Sequence, residues 1–493
     1  MRAVEIIPSP SALMQSLRGL GYSPETALAD LVDNSIAAGA TSIEIQIDWN
    51  EGLPEAAVLN NGRGLDQAGI AGAMCFGGGG PSTKRGPDDL GRFGLGLKTA
   101  SLSQALRMTI ASRVNGVGVA LAWDVDEVIS SGRWHANIPD RLPDSALSAH
   151  FEVLTSGTLI IWQRMDSNGG MFGLDKISFF KKIENIRAHF AMVFHRFLGG
   201  DARRISLAVN GRPVRAWDPF QRRHPATITM QTEHLRLKDE SVAVTPYVLP
   251  HRDRFTNEAE HEEAGGFGGW SERQGFYVYR GKRLVVAGGW LGLGGTRSWT
   301  REESSRLARI SVDLPLTLDR DWQLDVRKSI ARPPGSLRAR LTAIGAACRG
   351  RAREVFAWRG GRVRHPSAEL SNPMWLAEHN AGKITYRIDR KHPALMALSA
   401  SCGEKAGLLE AVLVLVERSV PVERIWLDVS EGEDVRPIAF NDSEVARIAP
   451  QLAKLLAELP GEEPPRLRLD RLLEQLPAGQ TALRTSVLEL LEA

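Results

Sequence analysis

Ala27-Leu28-Ala29-Asp30-Leu31-Val32-Asp33-Asn34-Ser35-Ile36 is the stretch on which the reading of this chain turns. Ser23, shortly before it, is a favourable N-cap, and Pro24 suits the first helical position. A helix is therefore expected from there to about Ala38, closed by Gly39. Ala27, Leu28, Leu31, Val32 and Ile36 give it an apolar face. Asp30 and Asn34 stand four residues apart, so they project from the same side of the helix. A carboxylate there can orient a water, and an amide oxygen can hold a magnesium ion through its phosphate-bound shell.

Moving outward, residues 42–48 alternate, with Ile43, Ile45 and Ile47 on one side, which predicts a half-buried strand. A second short strand, 55–59, runs into Asn60-Asn61-Gly62-Arg63-Gly64. Gly62 and Gly64 let the backbone pass close to a flat ring, and Asn60 can accept from an exocyclic amine. Residues 76–91 form a loop too long for a turn, and loops of that length are functional lids or disordered. Behind it Gly91-Arg92-Phe93-Gly94-Leu95-Gly96-Leu97-Lys98 opens a helix expected to reach Gln104. Amides at such a helix start bind phosphate, glycines allow close approach, and Lys98 adds a cation. No first-strand glycine turn of a dinucleotide fold precedes it. Strands are expected at 107–113, 118–123 and 157–162, the last opening on Gly157-Thr158, and a helix at 179–197. A short helix over 9–17 precedes the whole array.

Order adds information that no single motif carries. Helix with acid and Asn, strand with Asn-x-Gly-x-Gly, lid, Gly-x-x-Gly-x-Gly opening a helix, then Gly-Thr on a strand: this series resembles the GHKL family. That family includes MutL-type mismatch-repair proteins, DNA gyrase B subunits, ninety-kilodalton heat-shock chaperones, histidine kinases and microrchidia (MORC) ATPases. Residues 27–36 look like its N-box, and 91–101 look most like the microrchidia version of the third motif. The resemblance implies a Bergerat-type α/β sandwich binding ATP and magnesium, with Asp30 as the base for water and Asn34 as the metal-holding residue. Asn60, Gly62, Gly64, Gly91, Phe93, Gly94, Leu95, Gly96, Lys98 and Thr158 would then line the nucleotide. Tyr279-Arg280-Gly281-Lys282-Arg283-Leu284 and the stretch 321–329 are similar to the transducer domain of MutL-like and MORC-like proteins. There a lysine reaches back to the terminal phosphate, and Lys328 is its positional match, Gln323 a weaker one.

The resulting expectation is a fold of mixed α/β (α+β) class. It comprises a GHKL ATP-binding domain over 1–205, a ribosomal-protein-like α/β transducer over 206–358, and a smaller C-terminal α/β domain over 361–493. At 493 residues, more than one core is needed in any case. Strands are expected near 205–209, 242–249, 275–279, 283–286, 308–312, 384–388 and 422–429. Helices are expected over 336–358, 446–459 and 467–491.

Two departures from the family pattern matter. Asp30 stands where a glutamate is usual and is one methylene shorter, and a misplacement of about 1 Å can cost about a hundredfold in rate, so slow hydrolysis is expected. Asn60 replaces the usual aspartate and lacks its charge, which leaves base selectivity open. Composition excludes other classes. Hydrophobic residues make up 43% and charged residues 24%, as in ordinary globular chains. There is no run of about 18 apolar residues to cross a membrane. The three cysteines, Cys75, Cys348 and Cys402, lie far apart, which fits a reducing cytoplasm and no structural zinc. Arginines cluster at 338–364 and at Arg203, Arg204, Arg212, Arg215, Arg222 and Arg223. Such patches can follow the backbone of double-stranded DNA without reading sequence. The MORC-like resemblance implies a nucleotide-gated homodimer acting on DNA in repair or defence, with a nuclease supplied by a partner protein. A chaperone-like protein clamp and a non-hydrolysing nucleotide scaffold are the alternatives.

Overall fold

A computed structural model of the chain describes residues 9–19, 21–76, 96–199, 205–324, 331–357, 374–380, 383–422, 425, 440–458, 464–473 and 481–492. The first compact unit runs from the N-terminus to Phe356, apart from residues 251–254. Those four group with the segment from Ala357 onward as a second unit.

The first unit holds two sheets. One has seven strands: β1 (Ser42–Asp48), β2 (Glu55–Asn60), β3 (Ala105–Val114), β4 (Val117–Asp124), β5 (Gly157–Met165), β6 (Ser206–Val209) and β7 (Arg212–Pro213). Their spatial order is β4-β3-β5-β2-β1-β6-β7, antiparallel except where β6 runs parallel to β1. Helices α1 (Pro10–Arg18), α2 (Pro24–Ala37), α3 (Gln67–Met74), α4 (Gly96–Gln104), α5 (Val125–Ser131), α6 (Ser148–Glu152), α7 (Lys176–Val193) and α8 (His195–Leu198) belong with it. The alternation read in 42–48 holds: Ile43, Ile45 and Ile47 are buried and enter a core with Leu28, Leu31, Val32 and Ile36 of α2 and Phe179, Ile183, Ile186 and Phe190 of α7. The opposite face of the sheet has its own smaller cluster, in which Leu59, Ala111, Leu159 and Ile161 meet Leu147 and Phe151.

The second sheet comprises β8 (Ile228–Thr229), β9 (Glu233–Leu237), β10 (Glu240–Val248), β11 (Gly275–Arg280), β12 (Arg283–Ala287) and β13 (Ala308–Leu314). Its order is β12-β11-β13-β10-β8, with β9 also paired to β10. Every residue of β11 is buried, as expected of a central strand covered on both faces. The period of two divides its side chains. Phe276 and Val278 join the second core, while Tyr277 and Tyr279 join the first, together with Leu284 of β12. The second core is closed by the long helix expected over 336–358, and α9 (Glu258–Gly265) and α10 (Gly269–Glu272) are further elements not foreseen from sequence. That long helix is α11 (Gly335–Ala357), and its buried stripe is Leu337, Leu341, Ile344, Cys348, Ala352 and Val355.

The second unit contains the hairpin β14 (Trp375–Asn380) and β15 (Lys383–Ile388) and the helices α12 (Pro393–Ser401), α13 (Ala406–Arg418), α14 (Asp442–Glu458), α15 (Pro465–Leu473) and α16 (Thr481–Glu492). The last three bury Leu456, Leu469, Leu483 and Val487 against each other. One expectation fails here: within 422–429, Val422 and Ile425 are helical, and the other residues of that segment lie outside the described ones. β propensity is context-dependent, and at Val422 and Ile425 the helix prevails over it. Among the described residues no helix is long and apolar enough to cross a membrane.

Candidate active site

Helix α2 starts as its sequence dictates. Ser23 accepts from the Thr26 amide while the Thr26 side chain takes the Ser23 amide, and Pro24 fills the first turn. This fixed start orients Asp30, which lies mid-helix and is 5% exposed. The Tyr22 hydroxyl donates to Asp30 Oδ2 at 3.2 Å, and the Thr99 hydroxyl donates to the Tyr22 oxygen at 3.4 Å. Gln104, fully buried, donates from Nε2 to the Tyr22 carbonyl at 3.2 Å and so ties this residue to the end of α4. At the other end of α4, a side-chain carbon on Gly96 would start 3.4 Å from Asp30 Oδ2. The carboxylate therefore stands against the first turn of a helix, where unpaired amides attract phosphate. Asn34 lies one turn further along α2, half-buried.

The Asn60–Gly64 turn is shaped by what it leans on. Asn60 is 4% exposed, and its Oδ1 accepts from the Gly62 amide at 3.0 Å. A side chain on Gly62 would meet Ala38 Cβ at 2.9 Å, so α2 packs directly on the turn. The Arg63 amide and guanidinium donate to the Ala38 and Ala37 carbonyls, each at 3.0 Å. Gly64 has φ +71, and a Cβ there would lie 1.9 Å from the Arg113 carbonyl oxygen, so only glycine fits. Across β2 and β5, Asn60 faces Thr158. Thr158 Oγ1 lies 2.9 Å from Ser112 Oγ, which also accepts from the Leu65 amide at 2.8 Å and lies 3.0 Å from the Gly157 carbonyl. A Cβ on Gly157 would approach the Asn60 carbonyl oxygen at 2.4 Å, so that glycine permits the close strand pairing.

The structure thus sets Gly96 against Asp30, with Asn34 one turn along the same helix, and sets Asn60 beside Gly62 and Thr158, with Gly62 packed on Ala38 at the end of α2. Lys98 is 3% exposed, and its Nζ donates to the Ala73 and Cys75 carbonyls at 2.9 and 3.0 Å, at the end of α3. Burial lowers its pKa from the ordinary lysine value, against an opposing influence from Cys75. Gly91, Phe93, Gly94, Leu95 and Lys328 lie outside the described residues. Gln323, with φ +45, follows Trp322 of the second core.

Four residues around the site were missed in the sequence: Tyr22, Ser112, Asp33 and Arg283. Asp33 is 1% exposed and accepts from Arg283 Nε at 3.0 and 3.3 Å through its two oxygens. Arg283, 6% exposed, also lies over the Phe194 ring at 4.8 Å. Asp33 did carry a signal, a second acid on the apolar-flanked N-box helix, but its partner is 250 residues away.

Residues 22–155 match the family model of histidine kinase-, DNA gyrase B- and HSP90-like ATPases. This segment is a GHKL-type ATPase domain. The match takes in Asp30, Asn34, the Asn60 turn and the glycine cluster before Lys98, and ends just short of Gly157-Thr158. With it come ATP as the ligand and a mixed α/β sandwich as the fold, which the seven-stranded sheet and its helices form. No curated protein matches the chain.

The basic segments fare differently from one another. On α11, Arg338 donates to the Gly292 carbonyl, Arg340 pairs with Glu233, Arg351 with Glu354, and Arg349 and Arg353 both with Glu302. Arg349 also lies against the Trp290 and Trp299 rings, 4.7 and 4.8 Å from their centroids. Arg222 pairs with Asp218, and Arg212 lies 3.6 Å from Glu184. Arg215 and Arg223 are exposed and have no ion-pair partner among the described residues, and Arg203 and Arg204 lie outside them.

Proposed function

We propose that the protein is a slow, magnesium-assisted ATP hydrolase of the MORC-like kind, and that nucleotide binding draws two copies into a clamp on the backbone of double-stranded DNA. The observation that carries this reading is the Asp30 carboxylate, buried against the Gly96 end of α4. A base in that place can orient water toward a phosphate seated on the helix amides. Tyr22 holds the carboxylate in one orientation, which favours a single attack direction.

Among the described residues there is no group of three or more metal-ligating His, Cys, Asp or Glu side chains. Magnesium keeps several waters and takes few protein oxygens beside phosphate, so one protein oxygen is enough for the reading. Asn34 is the residue that would supply one, and the bound ion would neutralise charge on the phosphates. Lys98, Lys328 and residues 76–91 complete the proposed cradle and lid. The clamp is supported by the family resemblance, and contact with DNA by the exposed Arg215 and Arg223 and the neighbouring Arg222. A nuclease partner in repair or defence belongs to the same reading.

ATP turnover with and without double-stranded DNA tests it on the intact chain, Asn34→Ala and Asp30→Asn. Turnover that rises with DNA and falls about 10²- to 10⁴-fold in Asp30→Asn, with nucleotide binding kept, is the expected result. Asn34→Ala should weaken magnesium-dependent binding as well. Nucleotide binding without turnover, indifferent to DNA and to both substitutions, would leave a scaffold and sink the hydrolase.

A further inference from the structure

We propose that Lys98 does not touch phosphate but is a positioning residue: it holds the end of α3 and so ties the helix after the Asn60 turn to the helix that faces Asp30. The proposal rests on the nucleotide reading above and says how one cation of that cradle acts.

An ammonium has three N–H donors and no acceptor. Two donors of Lys98 are taken by the Ala73 and Cys75 carbonyls, at 2.9 and 3.0 Å. The Phe76 ring lies beside the same nitrogen, its centroid 5.8 Å away, within the reach of a cation–π contact. That ring is itself held, stacked on Trp123 at 5.3 Å and edge-on to Trp134 at 5.0 Å. Lys98 is only 3% exposed, so the nitrogen keeps no open face for a phosphate to approach.

What the ammonium holds is a helix that needs holding. At eight residues, α3 is shorter than helices that stand alone in water. Gly69 and Gly72 lie inside it and weaken it further. Its start is capped by Asp66, which accepts from the Gly69 amide at 2.7 Å. Its end has no glycine cap, because Cys75 follows in an extended conformation, with φ −69 and ψ 131. The last carbonyls must therefore be met from elsewhere, and a cation meets them while also suiting the negative end of the helix dipole. Lys98 does both from another helix. Leaving for a phosphate would unpair both carbonyls at once.

The two helices so joined belong to different parts of the proposed site. α3 continues from the Asn60–Gly64 turn, and Leu65 between them is pinned to Ser112 Oγ at 2.8 Å. α4 begins at Gly96, against Asp30, and Thr99, the residue after Lys98, reaches the Tyr22 hydroxyl that donates to Asp30. Where α4 stands relative to Asp30 thus depends on what Lys98 grips.

Hydrogen exchange of the full chain, with and without magnesium and ATP, is the test, together with ATP affinity and turnover of Lys98→Met. Without nucleotide, the α3 amides of Lys98→Met should exchange about tenfold faster than those of the wild type, because the helix end has lost its charged donor. The kcat should fall about tenfold or more as α4 shifts against Asp30, while ATP affinity changes by less than about tenfold. Loss of a direct ammonium–phosphate contact would instead weaken ATP binding about tenfold to a hundredfold. An affinity loss of that size overturns the proposal, as does α3 exchange or kcat left unchanged by the substitution. The wild type supplies an arm that needs no variant. Saturating ATP should leave α3 exchanging no faster; faster exchange would show the ammonium leaving the carbonyls for phosphate, and overturns the proposal too. If Lys98→Met does not melt cooperatively, this arm decides. ATP that fails to bind the wild type would overturn the nucleotide reading instead, and α3 exchange in nucleotide-free Lys98→Met would still decide what Lys98 holds.

Discussion

One hydroxyl, Ser112 Oγ, joins three strands' worth of chain: the Leu65 amide, the Gly157 carbonyl and Thr158 Oγ1 all lie within 3.0 Å of it. Ser112→Ala should cost about 1–3 kcal/mol, since it strands a buried donor rather than removing both partners. Urea unfolding at neutral pH would measure this, and a loss below about 0.5 kcal/mol would mean that water replaces the hydroxyl. At this scale the sequence was legible where spacing and order together carry the chemistry. The four-residue interval of Asp30 and Asn34 puts them on one side of α2, and Gly62 and Gly64 follow a strand, but only the order of the motifs along the chain singles them out. Ser112 is not singled out, because a serine in a strand acquires a role only from the Asn60 turn and β5, whose residues lie more than 40 positions away in both directions. Tyr22 is hidden for a similar reason: its partners Asp30, Thr99 and Gln104 converge only when α4 packs on α2.

Among elements, the pairing of α2 with β12 is the one no local pattern announces. Arg283 and Asp33 are removed from water together, and a buried ion pair gives little net stability while being costly to break. Asp33→Ala or Arg283→Ala should each lose about 3–5 kcal/mol, and the matched apolar pair Asp33→Leu with Arg283→Met far less than their sum. A double-mutant cycle in denaturant checks this; additive losses would show that the two side chains do not depend on each other. The elements themselves were largely readable. The period of two in 42–48 and the caps at Ser23 and Gly39 set β1 and α2 within a residue or two, since those signals are local. Helices α3, α9 and α10 were missed because they are short or carry weak apolar periodicity. In the expected strand 422–429, the two described residues, Val422 and Ile425, are helical instead.

For the whole molecule, the junction between the two sheets has a titratable group in it. His195 is 3% exposed, and its Nε2 shares a hydrogen bond of 2.8 Å with the Tyr279 hydroxyl. Burial, and then the Arg196 guanidinium, push its pKa down from 6.5 to about 3. The native state keeps the ring neutral while the unfolded chain takes up a proton below 6.5. Its contribution is thus fully present above pH 6.5 and is lost as pH falls toward 3, with a slope of at most about 1.4 kcal/mol per unit. Stability measured from pH 7 to 5 should decline less steeply in His195→Gln; equal slopes would place the acid sensitivity elsewhere. The shared core has a further consequence, for synthesis. Tyr277, Tyr279 and Leu284 complete the same core that holds α2, and Arg283 follows Asp33 by 250 residues. At a translation rate of about 5–20 residues per second, the nascent N-terminal half waits roughly 12–50 s for these residues, with part of its apolar core still open. A chain ended before residue 284 should therefore be recovered mainly in the insoluble fraction; a soluble fragment that melts cooperatively would show that the N-terminal half folds without β12.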